Sequence, residues 1–116
     1  MSPSRGAAAL RTASPAPVFA ALGDTTRLSL LQRLSSDGPL SITRLSEGTG
    51  VTRQAITRHL DSLGRVGLIH GARAGRERVF SLDRKRLDHA RRYLEQISAE
   101  WEAAAARLKA FVEESE

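Results

Sequence analysis

The stretch that decides the fold is ITRLSEGTGVTRQAITRHL, residues 42–60. It predicts a short helix around Leu45, a turn at Gly48 and Gly50, and a second helix whose first turn is capped by the hydroxyl of Thr52. Two helices joined in this way form a helix-turn-helix, because the second helix then lies across the first with its first turn free to enter a groove. The pattern therefore indicates a surface suited to double-stranded DNA.

The second helix of the motif separates into an apolar and a polar side. Its apolar residues are predicted to form a buried stripe of Ala55, Ile56, Leu60 and Leu63. The polar side suits base recognition, since Arg donates two hydrogen bonds to guanine, Gln pairs with adenine, and Thr reaches phosphate or a thymine methyl group. For any one of these side chains, a solvated polar helix face is the better interpretation, but the set in this order favours DNA contact. The residues predicted to contact DNA from this helix are Thr52, Arg53, Gln54, Thr57, Arg58 and His59.

A β-hairpin is predicted after the motif, because the spacing of the apolar residues there changes from that of a helix to that of strands. Residues 68–73 and 76–82 have the pattern of two strands joined by a turn at residues 74–75. Alternation along the second strand places two arginines, at positions 76 and 78, on the same face as Phe80. A two-stranded hairpin alone is marginally stable, so it must pack on the helices. The arginines of this hairpin predicted to contact the DNA backbone or minor groove are Arg73, Arg76 and Arg78.

Two helices are predicted before the motif. The apolar segment PVFAAL, residues 17–22, ends at Gly23, and either Asp24 or Thr25 caps the next helix. That second helix ends at the sequence DGP, residues 37–39. Its core-facing residues are predicted to be Leu28, Leu31 and Leu34, which recur at helical spacing.

Asp83 is predicted to cap a long last helix over about residues 84–114, a stretch without Gly or Pro. Apolar residues recur in it every seven positions in two registers, namely Leu87, Leu94, Trp101 and Leu108, and Ala90, Ile97, Ala104 and Phe111. A helix of about 28 residues is roughly 42 Å long, more than a core of this size covers, so an identical helix is the expected partner. The alternative is that the helix packs only on its own subunit. The residues of this helix predicted to form the dimer interface are Leu94, Ile97, Trp101, Leu108 and Phe111.

The length of 116 residues is that of one ordinary domain. Residues 1–15 are predicted to form a flexible tail, and residues 16–116 a winged helix-turn-helix domain that is mainly α with a small β-hairpin wing. The absence of Cys excludes disulfides, thiolate metal sites and a Cys nucleophile. No apolar run approaches the roughly eighteen residues of a spanning helix, and the first ten residues lack the apolar core of a secretory signal. A cytoplasmic protein without a membrane partner is therefore expected.

Charge is distributed unevenly along the chain, whose formal net charge is +5. Residues 53–92 hold eleven Arg or Lys against four acidic residues, a net charge of +7. Residues 93–116 hold two basic residues against six Glu, a net charge of −4. A basic middle segment favours an anionic partner such as DNA, and the acidic end is repelled from such a partner.

From Val18 to about Glu114, the chain resembles winged helix-turn-helix regulators of the ArsR/SmtB type. The resemblance rests on LGDTTR at residues 22–27, TRQAITRHL at residues 52–60, and Leu63 with VGLI at residues 66–69. It implies an obligate homodimer built from the first and last helices, which adds Phe19 and Leu22 to the predicted dimer interface. It further implies a recognition helix that begins near Thr52 and a wing at residues 73–78. It also implies a repressor that binds a palindromic operator and controls its own operon.

The chain departs from the metal-sensing members of that family. Where they place thiolates in the first helix of the motif, this chain has Ser41 and Thr43, and hydroxyls do not replace a soft ligand. Where other members use carboxylates and His on the last helix, Asp88 and His89 have no downstream His partner. No metal site and no cofactor are therefore predicted, and no residue pattern identifies an inducing effector.

The residues thus predict a sequence-specific DNA-binding regulator, and the family resemblance implies that it is an autoregulatory repressor that occupies a palindromic operator as a homodimer. The alternative is a dimeric protein-interaction module without specific DNA binding, whose basic residues serve solubility. Salt-dependent DNA binding distinguishes the two. An enzyme is not predicted, because no nucleophile with its base, no paired carboxylates and no phosphate loop occur at recognisable spacing. RNA binding has less support, since the motif lacks exposed aromatic residues.

Overall fold

The computed structural model describes residues 14–114 of the chain, so the tail predicted for residues 1–15 lies outside it apart from its last two residues. In order, the elements are α1 (Ala16–Leu22), α2 (Thr25–Asp37), β1 (Leu40–Ser41), α3 (Ile42–Ser46), α4 (Arg53–Arg65), β2 (Ile69–Ala74), β3 (Glu77–Leu82) and α5 (Arg84–Glu114). This is the winged helix-turn-helix fold that the sequence predicts, mainly helical with a small β-hairpin wing. None of the helices in the described part of the chain has the length and apolarity needed to cross a membrane.

Polar side chains fix the first turns of the helices where the sequence predicts them. Asp24, rather than Thr25, caps α2, and its Oδ2 accepts a hydrogen bond from the N–H of Arg27 at 2.9 Å. The hydroxyl of Ser41 caps α3 in the same way. At the start of α5, Oδ1 of Asp83 accepts from the backbone N–H of the residue two positions later, at 2.9 Å. These caps satisfy helix N–H groups that have no partner within the helix.

One apolar core joins α1, α2, the motif helices, the sheet and the start of α5. Its fully buried members include Val18, Leu30, Leu45, Ile56, Leu60, Leu63 and Leu68. The predicted stripe of α2 was wrong at one position, because Leu28 is 44% exposed whereas Leu30 is buried. On a helical wheel Leu30, Leu31 and Leu34 span an arc of about 100°, the width of an ordinary buried stripe, and Leu28 lies outside that arc.

The sheet has three strands in the order β1-β3-β2, all antiparallel. The sequence predicts only the hairpin, and β1 adds a short third strand in which Leu40 pairs with Phe80. A strand of two residues is too short to show alternation, so no periodicity could reveal it. The pairing fastens the hairpin to the body of the domain, since β1 leads directly into α3.

The turn of the hairpin lies one residue later than predicted. Ala74 and Glu77 are the last paired residues, so Gly75 and Arg76 form the turn. Gly75 has a φ of 66°, which a glycine adopts readily at this position of a two-residue turn. The predicted placement of Arg76 in the strand was therefore wrong, and Arg76 lies at the tip of the hairpin.

Helix α5 has 31 residues and is about 46 Å long. Within residues 14–114, the first third of α5 packs on the core: Ala90 is buried, Leu87 packs on the core, and the ring of Tyr93 lies 6.1 Å from that of Phe19 in α1. Beyond this point the heptad residues face solvent. Their exposed fractions are 54% for Leu94, 45% for Ile97, 73% for Trp101, 64% for Leu108 and 67% for Phe111.

Candidate nucleic-acid interface

Helix α4 turns one face into the core and the opposite face outward. Ile56, Leu60 and Leu63 are almost fully buried, as the sequence predicts, whereas Ala55 of the predicted stripe is only partly buried. Arg53, Gln54 and Arg58 of the same helix are exposed. The side chains of these three residues form no ion pair or hydrogen bond with any part of residues 14–114, so they are available to an external partner. The cap residue Thr52 is also exposed, and its hydroxyl accepts from the N–H of Ala55 at 3.1 Å.

The turn between α3 and α4 is held by one hydroxyl and two glycines. Thr49 Oγ1 donates to the carbonyl of Ser46 at 3.0 Å and accepts from the N–H of Val51 at 3.1 Å. Gly48 and Gly50 each have a φ of 69°, in the left-handed region that other residues rarely adopt. The local sequence therefore sets the angle at which α4 leaves the turn.

Arg33 of α2 braces the first helix of the motif. Its guanidinium donates to the carbonyl of Leu45 at 3.0 Å and to that of Arg44 at 2.8 Å, which satisfies two carbonyl groups at the end of α3. Sequence reasoning missed this residue, and no local signal could have found it, because both of its partners are backbone atoms eleven or twelve positions away.

Two of the predicted contact residues in α4 have partners inside the domain. The Thr57 hydroxyl donates to the carbonyl of Arg53 at 2.9 Å, so its hydrogen is used within the helix and its methyl group remains for contact. His59 faces the start of α2, where its Nδ1 lies 3.5 Å from Nη1 of Arg27 and 3.7 Å from Oδ2 of Asp24. The N–H of Arg27, and to a lesser degree the charge of His59, lower the pKa of Asp24. His59 thus lies away from the outward face that carries Arg53.

The hairpin presents three exposed arginines, as the sequence predicts. Arg73 and Arg78 pair directly across the strands, and Arg76 lies at the tip. The guanidinium of Arg78 stacks 5.0 Å from the ring centroid of Phe80, which holds it along one face of the hairpin. Gly71 makes room for this stack, since a Cβ there would lie 3.0 Å from Phe80 and 3.1 Å from Arg78.

The base of the hairpin is tied to the start of α5. Nε2 of His70 lies 2.5 Å from Oδ2 of Asp83, and this hydrogen bond is the largest cause that lowers the pKa of Asp83. In the next turn, Nε of Arg86 donates to the carbonyl of Val66 at the end of α4, at 2.9 Å. The first turn of α5 therefore contacts both the wing and the predicted recognition helix.

Residues 53–92 have a net charge of +7, but some of their arginines already bind carboxylates within the domain. Arg91 and Arg92 bind Asp88 on the same helix, and Arg91 also binds Glu95. The hydrogen bonds from both arginines lower the pKa of Asp88. Within residues 53–92, the cations for which the described structure shows no ion pair include Arg53 and Arg58 of α4, the hairpin arginines, and Arg84 and Lys85 of α5.

The three histidines do not come together. His59 and His70 face different aspartates, as described above, and His89 lies on α5. Within residues 14–114, no three His, Asp or Glu side chains are grouped so that they could hold a metal ion. The absence of a metal cofactor stays a prediction from the residue types.

Comparison with known proteins places this geometry among transcription factors. A family model described as a helix-turn-helix domain matches residues 22–72. Over 70 residues the chain is 40% identical to the HTH-type transcriptional regulator NmtR of Mycobacterium tuberculosis, covering 60% of this chain and 58% of that protein. This chain therefore spans less than two thirds of that relative.

Two solved structures extend the comparison to the fold. An ArsR-like transcriptional regulator from Rhodococcus sp. RHA1 superposes with a TM-score of 0.73 at 38% identity, covering 83% of this chain and 90% of that one. The homodimeric winged helix-turn-helix DNA-binding domain Mb0332 of Mycobacterium bovis, described as a possible ArsR-family regulator, gives a TM-score of 0.62 at 27% identity. That match covers 86% of this chain and 88% of the other.

Proposed function

The chain belongs to the ArsR-like family of winged helix-turn-helix transcriptional regulators, and we propose that it is a sequence-specific DNA-binding repressor that acts as a homodimer. Its place of action is the cytoplasm, where the DNA lies. The observation that carries the proposal is the outward face of α4. Its polar side chains are exposed and unpaired within residues 14–114, while the opposite face is fixed in the core. A helix held in this way enters a major groove without rearrangement.

The two basic elements have different roles in this proposal. Arg53 and Gln54 lie in the first turn of α4, the part of a recognition helix that reaches base edges, where Arg pairs with guanine and Gln with adenine. Thr52 and Arg58 flank them and suit phosphate contacts. Arg73, Arg76 and Arg78 lie on the hairpin and contact the DNA backbone or minor groove. Thr57 offers a methyl group, and His59 acts through its packing on the start of α2.

The apolar seam of α5 supports a homodimer. Leu94, Ile97, Trp101, Leu108 and Phe111 are about half to three quarters exposed in the single chain, at heptad spacing. Pairing with an identical seam buries these side chains, and the related domain Mb0332 is described as homodimeric. Phe19 and Leu22 of α1 already pack partly on the core of their own subunit, so they extend the seam at its near end.

A symmetric dimer places two copies of α4 in successive major grooves about 34 Å apart, and this spacing requires a palindromic operator. Occupation of such an operator in a promoter excludes polymerase. Repression follows from this steric effect, and an operator in the protein's own promoter makes the repression autoregulatory.

The test is selection of fragments bound by the full chain from genomic DNA of the source organism, followed by affinity measurements at two salt concentrations. We expect enrichment of a fragment with two inverted half-sites, bound at least a hundredfold more tightly than random DNA of equal length. Uniform weak binding to all fragments, with an intact dimer, would instead support the protein-interaction module. The fragment's genomic position then tests autoregulation, because it must lie in the protein's own promoter.

A further inference from the structure

A groove that DNA binding leaves unused runs between the end of α2, the end of β3 and the start of α5. Its volume is about 900 Å³, and a smaller cleft of about 230 Å³ continues it past Gly38 and Pro39. The two spaces share Ser35, Leu82 and Arg84 as lining residues. No residue that lines them belongs to α3, α4 or the hairpin turn. The groove is therefore separate from the surface proposed to meet DNA.

The groove is basic. Arg84, Lys85, Arg91 and Arg92 line it against a single carboxylate, Asp88. Arg91 and Arg92 are held by that carboxylate, and their distances to it and to Glu95 are those of ion pairs. Arg84 and Lys85 have no such partner among residues 14–114 and are exposed. The groove thus has two uncompensated cations at its mouth.

The positive charges of Arg84 and Lys85 are unfavourable for the helix that carries them. The first turn of α5 contains no acidic residue and begins with three basic residues in succession, Arg84, Lys85 and Arg86. A cation is unfavourable at a helix N-terminus, where the helix dipole is positive. The fold accounts for Arg86, which bonds to the carbonyl of Val66. Within the described part of the chain, the fold gives no such contact for Arg84 and Lys85. Residues that are unfavourable for the local structure and are not compensated by a stabilising contact are typical of functional sites.

The floor of the groove is apolar. Leu82 and Leu87 are partly buried lining residues, and the exposed Ser35 also lines the groove. A pocket with an apolar floor and convergent cations suits a ligand with an apolar body and an anionic head. We propose that this groove binds a small organic anion, a phosphate monoester or carboxylate attached to an apolar chain, and that this ligand is the effector of the regulator.

The position of the groove connects it to the DNA-binding elements. Arg84 and Lys85 stand in the same turn as Arg86, which binds the end of α4, and next to Asp83, which binds His70 of the wing. An anion that draws the two cations into the groove displaces this turn and with it the angle between α4 and the wing. This effector role rests on the proposed function, whereas ligand binding to the groove does not.

Calorimetric titration of the full chain with octyl phosphate tests the site, with inorganic phosphate and octylammonium as comparison probes. We expect one octyl phosphate per chain, at least tenfold weaker binding of inorganic phosphate, and no binding of octylammonium. The double variant R84A/K85A should lose at least tenfold in octyl phosphate affinity. The double variant R107A/K109A removes the same two residue types from the same helix outside the groove, and it should bind octyl phosphate as the wild type does.

Several outcomes would overturn the site. These are no binding of octyl phosphate, equal binding of octylammonium, or equal losses in both double variants. If the wild type did not bind octyl phosphate and R84A/K85A lost DNA affinity, the two cations would be assigned to contacts with DNA phosphates instead. The effector role further requires that saturating octyl phosphate changes operator affinity at least threefold, and no change would refute that role. A wild-type chain that binds octyl phosphate but no DNA would refute the proposed function and leave the site standing.

Discussion

Arg33 of α2 donates a hydrogen bond of 2.8 Å to the main-chain carbonyl of Arg44, the third residue of α3, and thereby fixes the first helix of the DNA-binding motif to the core helix beside it. The same guanidinium also bonds to the carbonyl of Leu45 at 3.0 Å. A single side chain from outside the motif therefore holds the angle at which the motif is presented.

Replacing Arg33 with Ala should destabilise the domain by about 1 to 2 kcal/mol, because two charge-assisted hydrogen bonds to carbonyl groups are removed. Urea unfolding followed by circular dichroism measures this change. Arg44→Ala is the matched control, since Arg44 pairs with Glu47 at 3.7 Å with side chains 66% and 63% exposed. That variant should change stability by less than about 0.5 kcal/mol. Equal losses in the two variants would show that Arg33 does not brace the motif.

Replacing Arg53 or Gln54 with Ala should weaken operator binding by about 1 to 3 kcal/mol for each base pair recognised and relax the preference at particular base pairs. Fluorescence anisotropy with the operator and single-base variants of it measures both effects. Arg107→Ala, an equal loss of charge on the outer part of α5, should leave base preference unchanged. A uniform loss of affinity for all sequences by Arg53→Ala would contradict the placement of α4 in the major groove.

Replacing Arg76 with Ala should weaken binding to operator and random DNA alike, because the tip of the hairpin meets the sugar-phosphate backbone. Removing one arginine–phosphate interaction should flatten the slope of log affinity against log salt by about 0.9, and the substitution removes one such interaction from each subunit of the dimer. Anisotropy titrations at several salt concentrations give this slope. A changed base preference with an unchanged salt slope would reverse the roles given to the wing and to α4.

Replacing Trp101 with Ala should weaken the dimer and operator binding together, while each subunit stays folded. Trp101 is 73% exposed in the single chain, so its removal leaves no cavity in the core. Light scattering should find the wild type at twice 12.6 kDa and the variant shifted toward 12.6 kDa at the same concentration. A wild-type chain that is monomeric at micromolar concentration would contradict the dimer.

Replacing Asp83 with Asn should reduce the loss of stability in acid. The hydrogen bond from His70 lowers the pKa of Asp83 below its ordinary value of 3.8. A carboxyl whose pKa is lower in the folded state stabilises the fold above pH 3.8, and this contribution disappears as the pH falls through the folded pKa. Asn still caps the helix but does not titrate. Urea unfolding between pH 5 and about 2 should therefore show a shallower decline for the variant.

Asp37→Asn is the control for this pH dependence. Asp37 ends α2, and its side chain forms no ion pair within residues 14–114. That variant should follow the wild-type decline. If the stability of Asp83→Asn also declined with falling pH as the wild type does, the contact between the wing and the start of α5 would make no electrostatic contribution to stability.

The elements set by local chemistry could be predicted from the sequence. Asp24, Ser41, Thr52 and Asp83 cap helices where a short polar side chain precedes an apolar period. The buried stripe of α4 and the exposed heptad of α5 follow from spacing alone. The hairpin and a partner for the last helix also follow from the residues, and the family resemblance identified the hairpin as a wing and added the first helix to the proposed dimer interface.

The features set by distant partners could not be predicted. The strand β1 exists only because Leu40 meets Phe80, forty positions later, and Arg33 acts on carbonyl groups that no residue pattern marks. The sequence predicts His59 among the DNA-contacting residues of the recognition helix, but its neighbours in the fold, Asp24 and Arg27, come from the start of α2, which no local pattern indicates. The basic groove beside α5 likewise needs three elements to meet before it exists.

If two copies of α4 read successive major grooves of one operator, they should protect guanine N7 from methylation by dimethyl sulfate, because N7 lies in the major groove. We expect two protected sites about 10 to 10.5 base pairs apart on the selected operator, both abolished by Arg53→Ala and neither seen on random DNA. Protection at a single site, protection that survives Arg53→Ala, or none at saturating protein would contradict this placement of α4.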